Sequence, residues 1–151
     1  MEIVREGPDH LVVGDPDRLE QVLWALLDNA VKYSPAGSGV RVRLVAREDG
    51  GRLVAETAVS DEGAGMDPTT VERAFEQFFR SADARRLAPD GSGVGLYAAR
   101  GLVRAMGGEM SLESRLGAGT TVRMVLPAES AAEAHETPEG VAAVERGPGH
   151  G

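Results

Sequence analysis

The stretch that decides the fold is residues 15–33, with the sequence DPDRLEQVLWALLDNAVKY. Asp15 can cap a helix, and Pro16 suits the first helical position. Apolar residues then recur at helical spacing and form one stripe that would pack on a core: Leu19, Val22, Leu23, Leu26, Leu27 and Ala30. The helix ends in a first motif, Asp28-Asn29-Ala30-Val31-Lys32-Tyr33, in which Asn29, Lys32 and Tyr33 stand at spacings of three and four and so share a second, polar face. A helix with one apolar and one polar edge is suited to line a ligand site.

Strand patterns surround this helix. Val40, Val42, Leu44 and Ala46 alternate with polar residues, and the turn signal Asp49-Gly50-Gly51 predicts a hairpin with a returning strand at 52–60. The remaining predicted elements are an extended segment at 4–13 broken by Gly7-Pro8, helices at 69–79 and 93–106, and strands at 109–114 and 120–126. The sum is an α/β (α+β) two-layer sandwich, in which three helices cover one face of a mixed sheet.

Composition limits the classes of protein and partner. The chain has 151 residues, 42% of them hydrophobic and 26% charged, which suits one domain with a core. The formal net charge of −8 argues against nucleic acid or an anionic membrane as a partner. We find no signal peptide and no apolar run that could span a membrane, and the absence of cysteine excludes thiol chemistry.

The end of the chain differs from the rest in composition. Residues 128–151 are rich in Ala, Glu, Gly and Pro, carry five glutamates and one arginine, and show no amphipathic period. We therefore expect a folded domain over residues 1–127 and a disordered acidic tail over 128–151.

A second motif, Asp61-Glu62-Gly63-Ala64-Gly65, follows the predicted strand at 52–60. A carboxylate at a strand end can accept a hydrogen bond from the exocyclic amine of adenine, where guanine has a carbonyl oxygen. Gly63 and Gly65 would allow tight turns and close approach of the backbone to the base. Taken alone, this motif is equally typical of an ordinary Asp/Gly turn.

Two further motifs follow along the chain. Residues 71–80 hold all three phenylalanines and end in Arg80, and 81–90 has the composition of a mobile loop. The stretch Gly91-Ser92-Gly93-Val94-Gly95-Leu96 leads into the helix predicted at 93–106. Glycines at a helix start let backbone amides surround phosphate oxygens. The stretch is neither a Walker A loop nor a dinucleotide fingerprint, because both have a different residue pattern.

The four motifs, in this order and spacing, resemble the catalytic ATP-binding domain of bacterial sensor histidine kinases, a branch of the GHKL ATPase superfamily. The resemblance runs from about Val13 to Pro127. It implies a Bergerat-type fold that binds ATP with Mg²⁺. It also implies a protein-histidine kinase domain in two-component signal transduction.

The resemblance implies a role for each matching residue. Asn29 would coordinate magnesium, Lys32 would contact phosphate, Tyr33 would pack on adenine, and Asp61 with Gly63 and Gly65 would recognise the base. Lys32 and Arg80 would act on the transferred phosphoryl group, and Phe75 and Phe78 would support a lid. The phosphates would be held at Gly91, Gly93, Val94, Gly95 and Leu96.

Partners and location follow from the same resemblance. None of His10, His135 and His150 stands in the sequence context of the family's phosphoacceptor. We therefore expect the acceptor histidine on a partner helical dimerisation domain, in the same full-length protein or in trans, with a response regulator downstream. The domain would be cytoplasmic and would not itself contact a membrane, whether or not the full-length protein is anchored in one.

Ala25 keeps other functions open. Many family members have asparagine at this position, and related ATPases and serine kinases have a glutamate that serves as a general base. Alanine can accept no proton, which counts against a GHKL serine kinase. It is compatible with a degenerate module that binds nucleotide or a protein partner without kinase activity. ATP-driven clamp proteins of the superfamily would need a further domain that the chain is too short to hold.

Overall fold

The computed structural model describes residues 1–35, 37–76, 94–131 and 141–143. Helix α1 spans Pro16–Tyr33, as the sequence predicts. The Asp15 carboxylate accepts hydrogen bonds from the backbone N–H groups of Asp17 and Arg18, at 2.9 and 3.4 Å. At the other end the Ser34 hydroxyl donates to the carbonyl of Ala30 at 2.7 Å. Both ends of the helix therefore have side-chain partners for backbone groups that the helix itself leaves unpaired.

The strands among the described residues form one seven-stranded mixed sheet. They are β1 (Glu2–Glu6), β2 (His10–Val13), β3 (Val40–Asp49), β4 (Arg52–Asp61), β5 (Glu109–Arg115), β6 (Gly119–Ser130) and β7 (Val141–Ala143). The order is β1-β3-β4-β6-β2-β7, with β5 also paired to β6. Strand β1 is parallel to β3, and the other pairs are antiparallel.

The two faces of the sheet differ in polarity. On one face, Arg41 and Arg43 of β3 form ion pairs with Glu2 and Glu6 of β1, at 3.3 and 2.6 Å. On the other face, apolar side chains of the strands join those of the helices in one core, including Val22, Leu26, Val59, Val103, Met124 and Leu126. The four charged side chains of the polar face are about half exposed, so their ion pairs contribute little to stability.

The helices cover the apolar face. Helix α1 packs against β4 and against α3 (Val94–Ala105), whereas α2 (Pro68–Arg73) packs on β5. The predicted two-layer sandwich is confirmed: in the described part of the chain, three helices cover one face of a mixed sheet. Each layer has one apolar side, and joining these sides removes both from water.

Several boundaries differ from the predictions. Helix α2 ends at Arg73, not near residue 79: the N–H groups of Ala74 and Glu76 bond three residues back, to Val71 and Arg73, which closes the helix in a tight turn. The extended segment at 4–13 is two strands, which pair with different neighbours.

The predicted domain boundary at Pro127 falls inside a strand. Strand β6 continues to Ser130 because its last residues pair with β2, and β7 pairs with β2 from the other side. The other residues of the predicted tail lie outside the described ranges, and their disorder stays a prediction.

Candidate nucleotide site

Asp61, the first residue of the second motif, ends strand β4 on the helix-covered face of the sheet. The strand register places it opposite Val40 of β3 on one side and Thr120 of β6 on the other. Thr120 in turn lies opposite Ser114 of β5. Three polar side chains from three strands, Asp61, Thr120 and Ser114, thus form a row across one end of the sheet. We call these three residues the polar row.

The Asp61 carboxylate has a defined position. Its Oδ1 accepts a hydrogen bond from the Gly63 N–H at 2.8 Å. Partial burial raises the pKa of Asp61, because the protein interior disfavours the charged form, while backbone hydrogen bonds from Gly63 and Thr120 act in the opposite direction. The result is a half-buried acceptor, held by backbone amides, at the edge of the helix-covered face.

The loop after Asp61 is docked on the turn between β5 and β6. The Gly117 N–H donates to the Ala64 carbonyl at 2.8 Å, and the Met66 N–H donates to the Ser114 hydroxyl at 2.8 Å. Gly65 has a φ of +75°, and a Cβ built there would lie 1.9 Å from the Arg115 carbonyl oxygen. We refer to residues 62–67 as the aspartate loop and to residues 115–119 as the hairpin turn.

The approach of the two glycines to a base stays a prediction, and the structure adds a backbone role for each. Gly65 has a positive φ and approaches the backbone of the hairpin turn. Gly63 is not among the glycines with positive φ and contributes its buried N–H to Asp61. A third glycine that sequence reasoning missed, Gly119, has a φ of +82°, and its Cβ would lie 2.0 Å from the Asp61 carbonyl oxygen. Close backbone approach therefore holds the aspartate loop from both ends of the hairpin turn.

The residues of the first motif lie at the C-terminal end of α1. Asn29 is half-buried between Asp28, which is exposed, and Ala30, which belongs to the core. The backbones of Lys32 and Tyr33 lie in the last turn of α1, and their side chains fall outside what the structure describes. Ala25, one turn before Asn29, packs against the core.

Parts of the third and fourth motifs border α2 and α3. Phe75 packs against the core, and the Arg100 guanidinium of α3 lies over its ring, 4.4 Å from the centroid. Val94 begins α3, Gly95 is exposed with open space around it, and the half-buried Leu96 packs against the core. The other predicted residues, Phe78, Arg80, Gly91 and Gly93, lie outside the described ranges, as does the predicted loop at 81–90.

A shallow cleft of about 450 Å³ borders Asp61 at the end of β3 and β4. Its charged lining side chains are three carboxylates, those of Glu2, Asp61 and Glu62, and one guanidinium, that of Arg41. A lining with this excess of negative charge repels phosphate. The cleft does not include Asn29, so we do not assign it to the phosphate end of a nucleotide.

The metal and membrane predictions can be compared with the described part of the chain. Within it, no group of three or more His, Asp or Glu side chains could hold a metal ion. The predicted magnesium site depends instead on one amide oxygen, that of Asn29, which suits an ion that keeps water and phosphate ligands. No helix in the described ranges has the length and hydrophobicity of a membrane span.

Sequence reasoning missed Ser114 and Thr120. Their only sequence signal is that Ser114 ends one predicted strand and Thr120, six residues later, opens the next. The pairing of β6 with both β4 and β5 is what brings them beside Asp61.

Comparison with known proteins agrees with this arrangement. Residues 14–130 match the family described as histidine kinase-, DNA gyrase B-, and HSP90-like ATPase. Sensor histidine kinase WalK of Bacillus subtilis (strain 168) is 37% identical over 129 residues, which cover 84% of this chain and 21% of that protein. Histidine protein kinase SaeS of Staphylococcus aureus (strain USA300) is 39% identical over 108 residues, which cover 72% of this chain and 30% of that protein.

Solved structures of similar proteins share the fold. The mycobacterial sensor histidine kinase MprB matches with a TM-score of 0.69 and 32% identity, covering 85% of this chain and 84% of that one. Full-length ShkA, solved in complex with AMPPNP, matches with a TM-score of 0.58 and 30% identity, covering 86% of this chain and 26% of that one. The chain thus spans less than a third of the curated relatives that it matches.

Proposed function

This chain belongs to the histidine kinase-, DNA gyrase B-, and HSP90-like ATPase family, and on that premise we propose that it binds Mg-ATP and donates the γ-phosphoryl group to a histidine of a partner domain. The observation that carries the proposal is Asp61, a half-buried carboxylate held at a strand end by the Gly63 amide. The sequence similarity to sensor histidine kinases, and the AMPPNP complex of the similar ShkA, support it.

Asp61 would recognise the adenine base. When it is ionised, the carboxylate accepts hydrogen bonds and cannot donate them. It therefore favours the exocyclic amine of adenine over the carbonyl oxygen of guanine. Gly63 and Gly65 support this contact through the backbone: the Gly63 amide orients the carboxylate, and Gly65 lets the aspartate loop pack on the hairpin turn. Tyr33 would pack on the ring.

Asn29 and Lys32 would lie on the phosphate side of the nucleotide. The Asn29 amide oxygen would hold Mg²⁺, which when bound neutralises charge on the phosphate oxygens. Lys32 and Arg80 would place positive charge against the phosphates and stabilise the charge of the transition state. Backbone amides at Gly91, Gly93, Val94, Gly95 and Leu96, where α3 begins, would receive phosphate oxygens.

In the transfer, the bond from the γ-phosphorus to the bridging oxygen breaks and a bond to an imidazole nitrogen of the acceptor forms, leaving ADP. The main task of this chain would be to position ATP and neutralise its charge, since the nucleophile is brought by the partner. The partner would be a helical dimerisation domain that carries the acceptor histidine, and a response regulator would receive the phosphoryl group next. We propose a cytoplasmic location, with no direct contact of this domain to a membrane or to nucleic acid.

One observation favours a second candidate function. Ala25 is a half-buried residue that packs against the core, at a position where related ATPases carry a polar side chain. A nucleotide-binding or protein-binding module without kinase activity would tolerate this alanine. A GHKL serine kinase fits less well, because alanine cannot act as the general base.

Calorimetric titration with ATP, in the presence and absence of Mg²⁺, separates these candidates. We expect binding that magnesium strengthens, and at least a tenfold loss of affinity in Asp61→Asn, equivalent to about 1.4 kcal/mol. The loss is expected because the asparagine amide can present a donor to the amine of adenine. Asp49→Asn, which changes an exposed carboxylate in the hairpin between β3 and β4, is the matched control and should bind like wild type.

Unchanged ATP affinity in Asp61→Asn would refute the assignment of Asp61 to the base. No binding by the wild-type protein in either condition would favour the module without nucleotide function. Binding without transfer to a histidine-bearing dimerisation domain would favour the nucleotide-binding module that lacks kinase activity.

A further inference from the structure

The polar row contains two side chains, Ser114 and Thr120, that the proposed function leaves without a role. Ser114 is half-buried on β5, and Thr120, 7% exposed, separates it from Asp61. Ser114 is therefore too far along the row to serve as the direct partner of Asp61. It can act on a ligand beside Asp61 only through Thr120 or through the aspartate loop.

The hydrogen bonds of Ser114 fix the direction of each donor. Its Oγ lies 2.8 Å from the Met66 nitrogen, 3.0 Å from the Gly119 carbonyl oxygen and 2.8 Å from Thr120 Oγ1. A serine hydroxyl has one hydrogen to donate and two lone pairs to accept with. Because the Met66 N–H can only donate and the Gly119 carbonyl can only accept, the hydrogen of Ser114 goes to Gly119 and one lone pair to Met66.

Only one lone pair of Ser114 then remains for Thr120, so the Thr120 hydroxyl must be the donor of that bond. With its hydrogen used, the Thr120 oxygen can only accept hydrogen bonds from anything else. The ionised carboxylate of Asp61, its neighbour in the row, also only accepts. Within the polar row, Asp61 and Thr120 thus present acceptors and no hydroxyl donor to a group beside them.

We infer that Ser114 is a specificity-determining positioning residue, which keeps the Asp61–Thr120 pair an acceptor-only surface. This surface favours a base that presents an amino group to the pair, as adenine does at its 6 position, over one that presents a carbonyl oxygen there, as guanine does. The inference rests on the proposed function, because it takes the base to lie beside Asp61. It adds to that function a discrimination against guanine that does not come from Asp61 alone. Without Ser114, the Thr120 hydroxyl could turn and donate to the carbonyl oxygen of guanine.

A second role of Ser114 must be separated from this one. Its bond to the Met66 N–H anchors the aspartate loop, so its removal could weaken every nucleotide equally. Loss of anchoring lowers the affinities for adenine and guanine nucleotides by the same factor. Loss of the fixed direction of the Thr120 hydroxyl instead changes the ratio of the affinities for adenine and guanine nucleotides.

The test is the ratio of the GDP and ADP dissociation constants, measured by calorimetry for wild type, Ser114→Ala, Ser114→Thr and Ser111→Ala. Ser111 is the matched control, because it is exposed on the other face of the same strand. We expect the ratio to fall roughly three- to tenfold in Ser114→Ala, the effect of about one hydrogen bond. It should stay within about twofold in Ser111→Ala and recover in Ser114→Thr, which keeps a hydroxyl.

An unchanged ratio in Ser114→Ala, including equal weakening of ADP and GDP, would overturn the inference. Wild-type protein that binds neither nucleotide would refute the proposed function itself, and the inference with it. If Ser114→Ala does not fold, Thr120→Val replaces it, and the same fall in the ratio is expected because an acceptor for the amino group is lost. An unchanged ratio in that variant would equally overturn the inference.

Discussion

Replacing Gly65 by alanine should separate the aspartate loop from the hairpin turn. The new Cβ would lie 1.9 Å from the Arg115 carbonyl oxygen and 2.7 Å from the Arg115 carbonyl carbon. Non-bonded carbon atoms sit about 3.5 Å or more apart, so one backbone must move by more than about 1 Å. Such a shift breaks the bonds from Gly117 to Ala64 and from Met66 to Ser114, each 2.8 Å long.

The expected loss of stability has two parts. Alanine at a φ of +75° costs about 1–2 kcal/mol, since side chains disfavour the left-handed region. The two broken hydrogen bonds add about 0.5–1.5 kcal/mol each. Gly65→Ala should therefore lower the free energy of unfolding by about 2–5 kcal/mol.

Gly117→Ala is the matched control. Gly117 has a nearly equal φ of +78°, but no atom lies within 4 Å of its built Cβ. Its substitution should cost only the conformational part, about 1–2 kcal/mol, and keep the N–H bond to Ala64. The difference between the two variants measures the close approach at Gly65 alone.

Urea unfolding followed by circular dichroism measures both losses, and calorimetry measures ATP affinity. We expect Gly65→Ala to weaken ATP binding about tenfold or more, because the loop that carries the Gly63 amide moves away from Asp61. Gly117→Ala should change it little. Equal losses of stability in the two variants, or full ATP affinity in Gly65→Ala, would refute the reasoning.

Two further substitutions test the loss of stability caused by the buried charge of Asp61 and the cap at the start of α1. Asp61→Asn should raise the free energy of unfolding of the nucleotide-free protein at pH 7, because burial raises the pKa of Asp61 in the folded state and so disfavours its charged form. The stability tied to the protonated form of Asp61 is lost as the pH rises through that pKa, so the advantage of asparagine should shrink toward roughly pH 4. Urea unfolding at both pH values tests this, and a less stable asparagine variant at pH 7 would contradict it. Asp15→Ala should lower the free energy of unfolding by about 1 kcal/mol in the same assay, because it removes the cap of α1. The control Asp17→Ala, in the first turn but not at the cap, should lower it by less. Similar losses of stability in the two variants would count against the capping role of Asp15.

Local chemistry made part of the fold predictable. Asp15 and Pro16 mark the start of α1, and the alternation in 40–46 with the turn at Asp49-Gly50-Gly51 marks the β3–β4 hairpin. These signals involve residues close in sequence, whose conformations depend mainly on their own side chains. The end of α2 was not predictable in this way, because it depends on a tight turn that closes at Ala74 and Glu76.

The sequence by itself determined the order of the four motifs, the polar edge of α1 at Asn29, and the presence of a carboxylate at the end of β4. Only the tertiary structure decided what surrounds that carboxylate. Ser114 and Thr120 come beside Asp61 through the register of three antiparallel strands, and Gly65 packs on Arg115 across the gap between a loop and a distant turn. The physical reason is that register and close backbone approach depend on the packing of whole strands, which no short stretch of sequence specifies.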